Sequence, residues 1–431
     1  MKSIFEAFLQ EVEIPHFYEI RQDIDQPEVA DIEGALYQGL EQMETLSRIQ
    51  AGQSVAITAG SREVPGFNNV ILALGSAIRK RGGIPFIVPA MGSHGGATAE
   101  GQLAVLSHYG ITEESVGMPI RSCMETVKIG EAQGGLSVRI DKIASEADWI
   151  IPVAKVKPHS DFRGEVESGI MKMLAIGLGK QYGASICHKH GFINMGRNVR
   201  DFGRTIISNA NIAFAVALIE NAEHKLAYLE VVPTASIDSR EPILLEEAKR
   251  ITPKIPFDNL DLLIVNEMGK EISGAGMDPN VTGRSAYLDK ASPNAQKIVV
   301  LDLTDKSDGN AAGMGNADVI SKRMYDKIDF EPIYVNAITC RDTLGSRLPM
   351  VMPNDKLAIQ AGIYTCCSTD ESKDYRIAWI KNTSSLSRIF ISSVLLEEAL
   401  AICGLQVGDK KAVVFDECGN ILPDQGAGFH S

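Results

Sequence analysis

Two short apolar runs, 54–58 (SVAIT) and 84–89 (IPFIVP), each end in a glycine-bearing loop. After the first comes Ala59-Gly60-Ser61-Arg62, then a helical face of Val70, Ile71, Leu74 and Ile78. After the second comes Met91-Gly92-Ser93-His94-Gly95-Gly96, then a helix-spaced segment over 99–109. Strand, loop and helix repeated in that order commit a chain to a parallel sheet covered by helices. Loops at the carboxyl ends of such strands face the ligand crevice, so Arg62 and His94 are candidates by position alone. A histidine set among glycines at a strand end has little packing reason to be there.

The pattern continues through the 431 residues. An edge strand or arm and a helix are expected within 1–50. A hairpin-like segment and short helix fill 131–147, and a strand at 148–153 delivers the chain to Lys155. A helix over 198–211, strands at 212–219 and 225–232, and a helix over 241–251 follow. Pro253, Pro256 and Asp258-Asn259 mark a boundary. Beyond it, 260–265 and 297–303 read as strands, 317–325 as the start of a helix, and 412–416 as a last strand. The expected fold is α/β in two domains, each a mostly parallel sheet flanked by helices, with the active site in the cleft between them. The first spans 1–255 and the second 256–410, with 411–431 a strand and tail returning to the first domain.

Composition removes several classes of function. A net charge of −13 without a Lys/Arg-rich run gives no basic footprint for nucleic acid or anionic lipid. No stretch reaches the ~18 consecutive apolar residues of a membrane span. MKSIFEAFLQEVEIP carries acids among its apolar residues and does not read as a signal peptide. The seven cysteines are odd in number and form no CxxC pair. Neither a disulfide framework nor a cysteine zinc site is indicated, and a cytoplasmic setting fits.

The stretch 155–191, KVKPHSDFRGEVESGIMKMLAIGLGKQYGASICHKHG, concentrates ionisable groups around an apolar segment. It carries His159, His188, His190, Lys172, Arg163, Glu165 and Glu167. Cores rarely keep such groups unless they are paired or used. Lys172 sits in Ile-Met-Lys-Met-Leu; buried and unpaired, its pKa would fall and its amine become nucleophilic. The bland alternative pairs it with Glu165 or Glu167. Gly177-Leu178-Gly179-Lys180 lacks the full phosphate-loop pattern and reads better as packing glycines. Cys187 reads best as a small buried apolar residue. His188 and His190, at i and i+2, share a face only on a strand. Further on, Gly274–Arg284 (GAGMDPNVTGR) is a polar, glycine-rich loop. Its Asp278, Asn280 and Arg284 suit a substrate carboxylate, with Arg284 binding bidentately. Asp302, Asp305 and Asp308 read as a solvated loop.

These motifs, in their order and spacing over about residues 50–200, resemble the lactate racemase family: GSR at 60–62, the MGSHGGAT loop, KPH at 157–159, and a lysine-bearing segment followed by a later histidine. The GMDPNVTGR loop looks like a diverged form of that family's second-domain motif. The resemblance implies a two-domain α/β isomerase, a racemase or epimerase acting at C2 of a 2-hydroxy acid with a nickel-pincer nucleotide. Carried over, His94 and His159 are the acid/base pair, Lys172 tethers the cofactor, and His188 ligates nickel. Ser61 and Arg62 belong to the cofactor-site loop, and Asp278, Asn280 and Arg284 to the substrate side. The family's acidic DxxR position is Ala59 here, and the segment between His159 and Lys172 is longer. Thr282 and Gly283 replace the larger Tyr-Gln pair, which implies a substrate larger or more polar than lactate, such as a sugar acid. The expected partner is that small molecule, with no nucleic acid and no membrane; a homodimer is compatible. Two rivals use the same residues: a zinc- or iron-dependent lyase or hydrolase with His94, His159 and His188 as ligands, and a non-catalytic small-molecule binding protein.

Overall fold

The computed structural model describes residues 4–22, 26–42, 45–62, 64–285, 293–340, 343–367 and 374–422. The fold is α/β, with sheets flanked by helices. It separates into two compact units, one formed by 26–252 and the other by the segments before 26 and after 252.

In the first unit Ser54–Ala59 lies between Ile84–Pro89 and Trp149–Ile151, all parallel. Val55, Ala56 and Ile57 are buried, as the near-continuous apolar run of a parallel strand covered on both faces requires. Pro152 has no N–H to give the ladder, so the third strand breaks there. It resumes as Val153–Lys155, parallel to Phe214–Glu220, which pairs antiparallel with Leu226–Pro233. The two ladders stay stitched across the break. Val216 N–H donates to Pro152 O at 2.9 Å, and Val153 N–H donates to the Thr58 hydroxyl at 3.0 Å. The helix Phe67–Lys80 buries Val70, Ile71, Leu74 and Ile78, the face read from the sequence.

This topology places the site. The loops carrying Ser61-Arg62, His94 and Lys157–His159 leave the carboxyl ends of neighbouring strands. The segment bearing Lys172 packs beneath them as a short helix, Ile170–Lys172, running into a π-turn over Met173–Gly177. Leu178 N–H closes that turn on Met173 O at 2.9 Å. The helix Met195–Asn209 lies behind it. A Cβ on Gly203 would come within 2.5 Å of Met171 Sδ, so glycine is what allows the close approach.

The second unit is one eight-stranded sheet. Met350–Met352, Val319–Ser321, Asn294–Val300, Asn259–Val265 and Ile377–Asn382 run parallel; Ser385–Ser392, Phe17–Gln22 and Leu405–Lys411 continue it antiparallel. Four expectations change here. Residues 4–22 do not belong with 26–252: Phe17 and Ile20 are buried in this sheet, and Glu19 is held by Lys411, Arg388 and Arg21. Burial opposes ionisation of Glu19, but those cations bring its pKa down to about 2. The last strand is Leu405–Lys411, not 412–416, where only Phe415 bridges to Ile421. Its pairing with Phe17–Gln22 keeps it in this unit and not with 26–252, and the end of the expected tail, 423–431, lies outside the described residues. At 317–325 a strand, Val319–Ser321, precedes a helix confined to Lys322–Asp326. No helix among the described residues is long and apolar enough to cross a membrane.

Phe202 is almost fully buried on the helix behind the Lys172 segment. Phe202→Ala is expected to cost about 3–5 kcal/mol, read as a lower urea midpoint for the unit 26–252 with unchanged slope.

Candidate functional site

Lys172 is the centre of the site. Glu165 pairs instead with Arg200, and Glu167 with Arg163 (3.7 Å) and Lys249 (3.4 Å). Both carboxylates offered to Lys172 by sequence proximity are therefore engaged elsewhere. Among the described residues Lys172 has no ion-pair partner. Burial, then the charges of Lys157 and Arg62, lower its pKa to about 8, with Asp161 and Cys187 acting the other way. At neutral pH a usable fraction of the amine is unprotonated, the condition for a lysine nucleophile. Cys187 is fully buried, and its thiol is pushed up to about 12, as an inert core residue should be.

His159 is mostly buried and stacks on Phe162 with ring centroids 4.2 Å apart. Its backbone N–H donates to Glu167 Oε2 at 2.7 Å, and Arg163 donates to its carbonyl. Asp161 N–H donates to His159 Nδ1 at 3.0 Å, so the neutral ring carries its proton on Nε2. Burial, followed by the charges of Lys172, Lys157, His188 and Arg163, holds its pKa well below the usual imidazole value. The ring is neutral at physiological pH.

His94 is exposed, between left-handed Gly92 and Gly95. Its Nδ1 lies 2.8 Å from Met91 O. A carbonyl only accepts, so Nδ1 carries the proton and Nε2 is the basic nitrogen. The loop is seated on the π-turn: Gly92 N–H donates to Gly177 O at 3.2 Å, and a Cβ on Gly177 would come within 2.6 Å of Ala90 O. Gly60 meets Met173 of the same turn. The Ser61-Arg62 and His94 loops thus both rest on the turn that follows Lys172.

His188 closes the helix Lys180–Cys187 and begins a 3-10 turn, packed edge-on against Phe192 at 5.6 Å. On a helical turn His188 and His190 diverge. His188 is half-buried and acts on His159, whereas His190 is exposed. Among the described residues no group of three or more His, Cys, Asp or Glu side chains is placed to hold a metal ion, so His94, His159 and His188 do not form a three-ligand centre.

In the other unit, Asp278 caps the turn Pro279–Thr282 and accepts from Asn280 Nδ2 at 2.7 Å. Arg284 donates to Asp318 and to the carbonyls of Asn316, Ala295 and Gln296. Its guanidinium is engaged within its own unit, which differs from the substrate carboxylate expected for it. Asp302 and Asp305 pair with Lys327, each at 3.1 Å.

Three contributors escaped the sequence reading. Lys157 supplies charge. Lys180 is fully buried against Asp141 at 3.1 Å and makes no phosphate loop. Glu241 is fully buried and accepts from Met171 N–H at 2.8 Å, capping the helical turn that ends in Lys172; burial pushes its carboxyl up to about 8. The glycines of GLGK gave a usable signal for close packing. Nothing local marks Glu241, whose partner lies far along the chain.

Lys172 should react with an amine acylating reagent with a midpoint near pH 8, against 10.5 for an ordinary lysine, in competitive labelling read by peptide mass spectrometry. Lys172→Met removes the largest single charge acting on His159. The His159 midpoint should then rise in an imidazole NMR titration, and an unchanged midpoint would contradict the coupling.

No protein-family model matches this chain, and no curated protein matches it. Among solved structures, the lactate racemase apoprotein from Thermoanaerobacterium thermosaccharolyticum is similar at 15 % identity and a TM-score of 0.47, over 79 % of this chain and 99 % of that one.

Proposed function

We propose that this protein is a racemase or epimerase acting at C2 of a 2-hydroxy acid, and that it carries a nickel-pincer nucleotide. The observation that carries the reading is Lys172: a buried amine with a pKa near 8, without a carboxylate partner among the described residues, under loops that bring Arg62 and Lys157 into its field. A structural lysine in such a place would be paired; one kept for covalent attachment of an anionic group would not.

The residues present fit that group. Lys172 would be its attachment point, Ser61, Arg62 and Lys157 would hold its anionic parts, and His188 would be the imidazole ligand for nickel. When bound, the cofactor supplies the hydride acceptor and donor that a carbon inversion needs. The chain's own part is to handle the hydroxyl proton. His94, with its proton on Nδ1, offers a lone pair at Nε2 and takes that proton. His159, with Nδ1 occupied by Asp161 N–H, offers Nε2–H and holds the substrate oxygen. When the hydroxyl lies toward the other ring the roles exchange. His159 must then shift its proton to Nδ1 and give up the Asp161 contact. The cations around Lys172 also favour a substrate bearing a carboxylate, such as a sugar acid.

Protein from a host able to make the cofactor should show, under denaturing conditions, an adduct of nucleotide size on the peptide containing Lys172. Elemental analysis of the native sample should find nickel near one per chain. Such material should invert C2 of 2-hydroxy acids with retention of a C2 deuterium label, and His94→Gln should abolish turnover while leaving the adduct in place. An unmodified chain from that host would overturn the reading.

A further inference from the structure

We propose that Gln102 is a positioning residue for His94, and that it takes its own orientation from the buried Lys180–Asp141 ion pair. Gln102 lies fully buried on the helix Ala99–His108. Its Oε1 accepts from Lys180 Nζ at 2.9 Å, and its Nε2 donates to Gly92 O at 2.9 Å and to His94 O at 3.4 Å. The amide can face only one way. An ammonium has only protons to offer, so the atom toward Lys180 must be oxygen, and the nitrogen must then face the two loop carbonyls.

Lys180 is itself fixed. Its ammonium donates to Pro89 O as well as to Gln102, and it pairs with Asp141, with no exposure on either side chain. Asp141 is held in turn by Ala144 N–H at 2.8 Å. The relay therefore runs from a buried carboxylate through an ammonium and an amide to the Gly92–Ser93 and His94–Gly95 peptide units.

The loop needs such a brace. Gly92, Gly95 and Gly96 all have left-handed backbone, so the loop gains little rigidity from side chains of its own. The His94 ring is oriented by Met91 O, which also accepts from His94 N–H at 3.1 Å. Gln102 holds the carbonyls of Gly92 and His94, in the peptide unit next to the one that carries Met91 O and in the one that follows the ring's own Cα, and so fixes the loop backbone on both sides of the contact between Met91 O and the ring. Access for Gln102 is made by Gly101 and Gly95, which touch so closely that a Cβ on Gly101 would lie 1.9 Å from Gly95 O.

That His94 matters for turnover rests on the function proposed above; the test does not. It reads the imidazole directly, without substrate or cofactor, so either idea can fail alone. In full-length protein with 15N-labelled histidine, long-range imidazole spectra assigned with His94→Gln should show neutral His94 protonated on Nδ1. Gln102→Glu keeps the acceptor for Lys180 but cannot donate to the loop. It should lose the Nδ1–H signature in favour of Nε2–H, and Gln102→Met should do the same without adding charge. Loss of stability alone would not move a tautomer. His94 protonated on Nε2 in the wild type, or an unchanged tautomer in either folded variant, would overturn the proposal.

Discussion

An ammonium group sealed from water must have every proton accepted, and Lys180 meets that demand by drawing distant parts of the chain together. Pro89 at a strand end, Gln102 on a helix and Asp141 at the end of a hairpin all converge on it. Lys180 adopts left-handed backbone, at φ 53°, to begin its helix straight after the π-turn. A side chain that costs so much to bury holds only if every partner is in place. The same requirement fixes the π-turn, the His94 loop and the hairpin as one block.

Charge allocation decides what the neighbouring lysine can do. The acids near Lys172 in sequence are spent on Arg200, Arg163 and Lys249. Glu241 addresses the backbone of its helical turn and leaves its amine alone. The result is a patch where Arg62 and Lys157 act against the charge of Lys172, and Lys172 and Lys157 in turn depress His159. An arrangement of this kind is unfavourable by itself and becomes favourable when an anion enters. Acylating Lys172 would also remove the charge that most weakens His159 as a base.

Much of this was legible in the sequence. The glycine loops after 54–58 and 84–89 named Arg62 and His94 because a parallel sheet sends such loops to one edge. The apolar frame of Lys172 marked it as unusual. What stayed hidden depends on partners remote in the chain. Whether Lys172 or Lys180 was the paired lysine turned on Asp141, and no local pattern ties 141 to 180. The i, i+2 spacing of His188 and His190 shares a face only on a strand, and here the helix from Lys180 runs into a 3-10 turn that turns them apart. Arg284 sat in a loop that looked like a ligand clamp, yet Asp318 and three carbonyls take up its donors. An edge strand or arm was expected within 1–50, but nothing in that stretch says which sheet it joins.

That last strand has a consequence for how the protein is made. Phe17–Gln22 lies between Ser385–Ser392 and Leu405–Lys411, so residues made before 26–252 find their partners only among residues made after it. Residues 26–252 are contiguous and can assemble as soon as they emerge. The eight-stranded sheet cannot close until translation has passed Lys411. Until then the segment before residue 26 lacks its partner strands, with the apolar faces of Phe17 and Ile20 uncovered. In that interval a nascent chain of this protein is most open to chaperones and to mispairing with another copy.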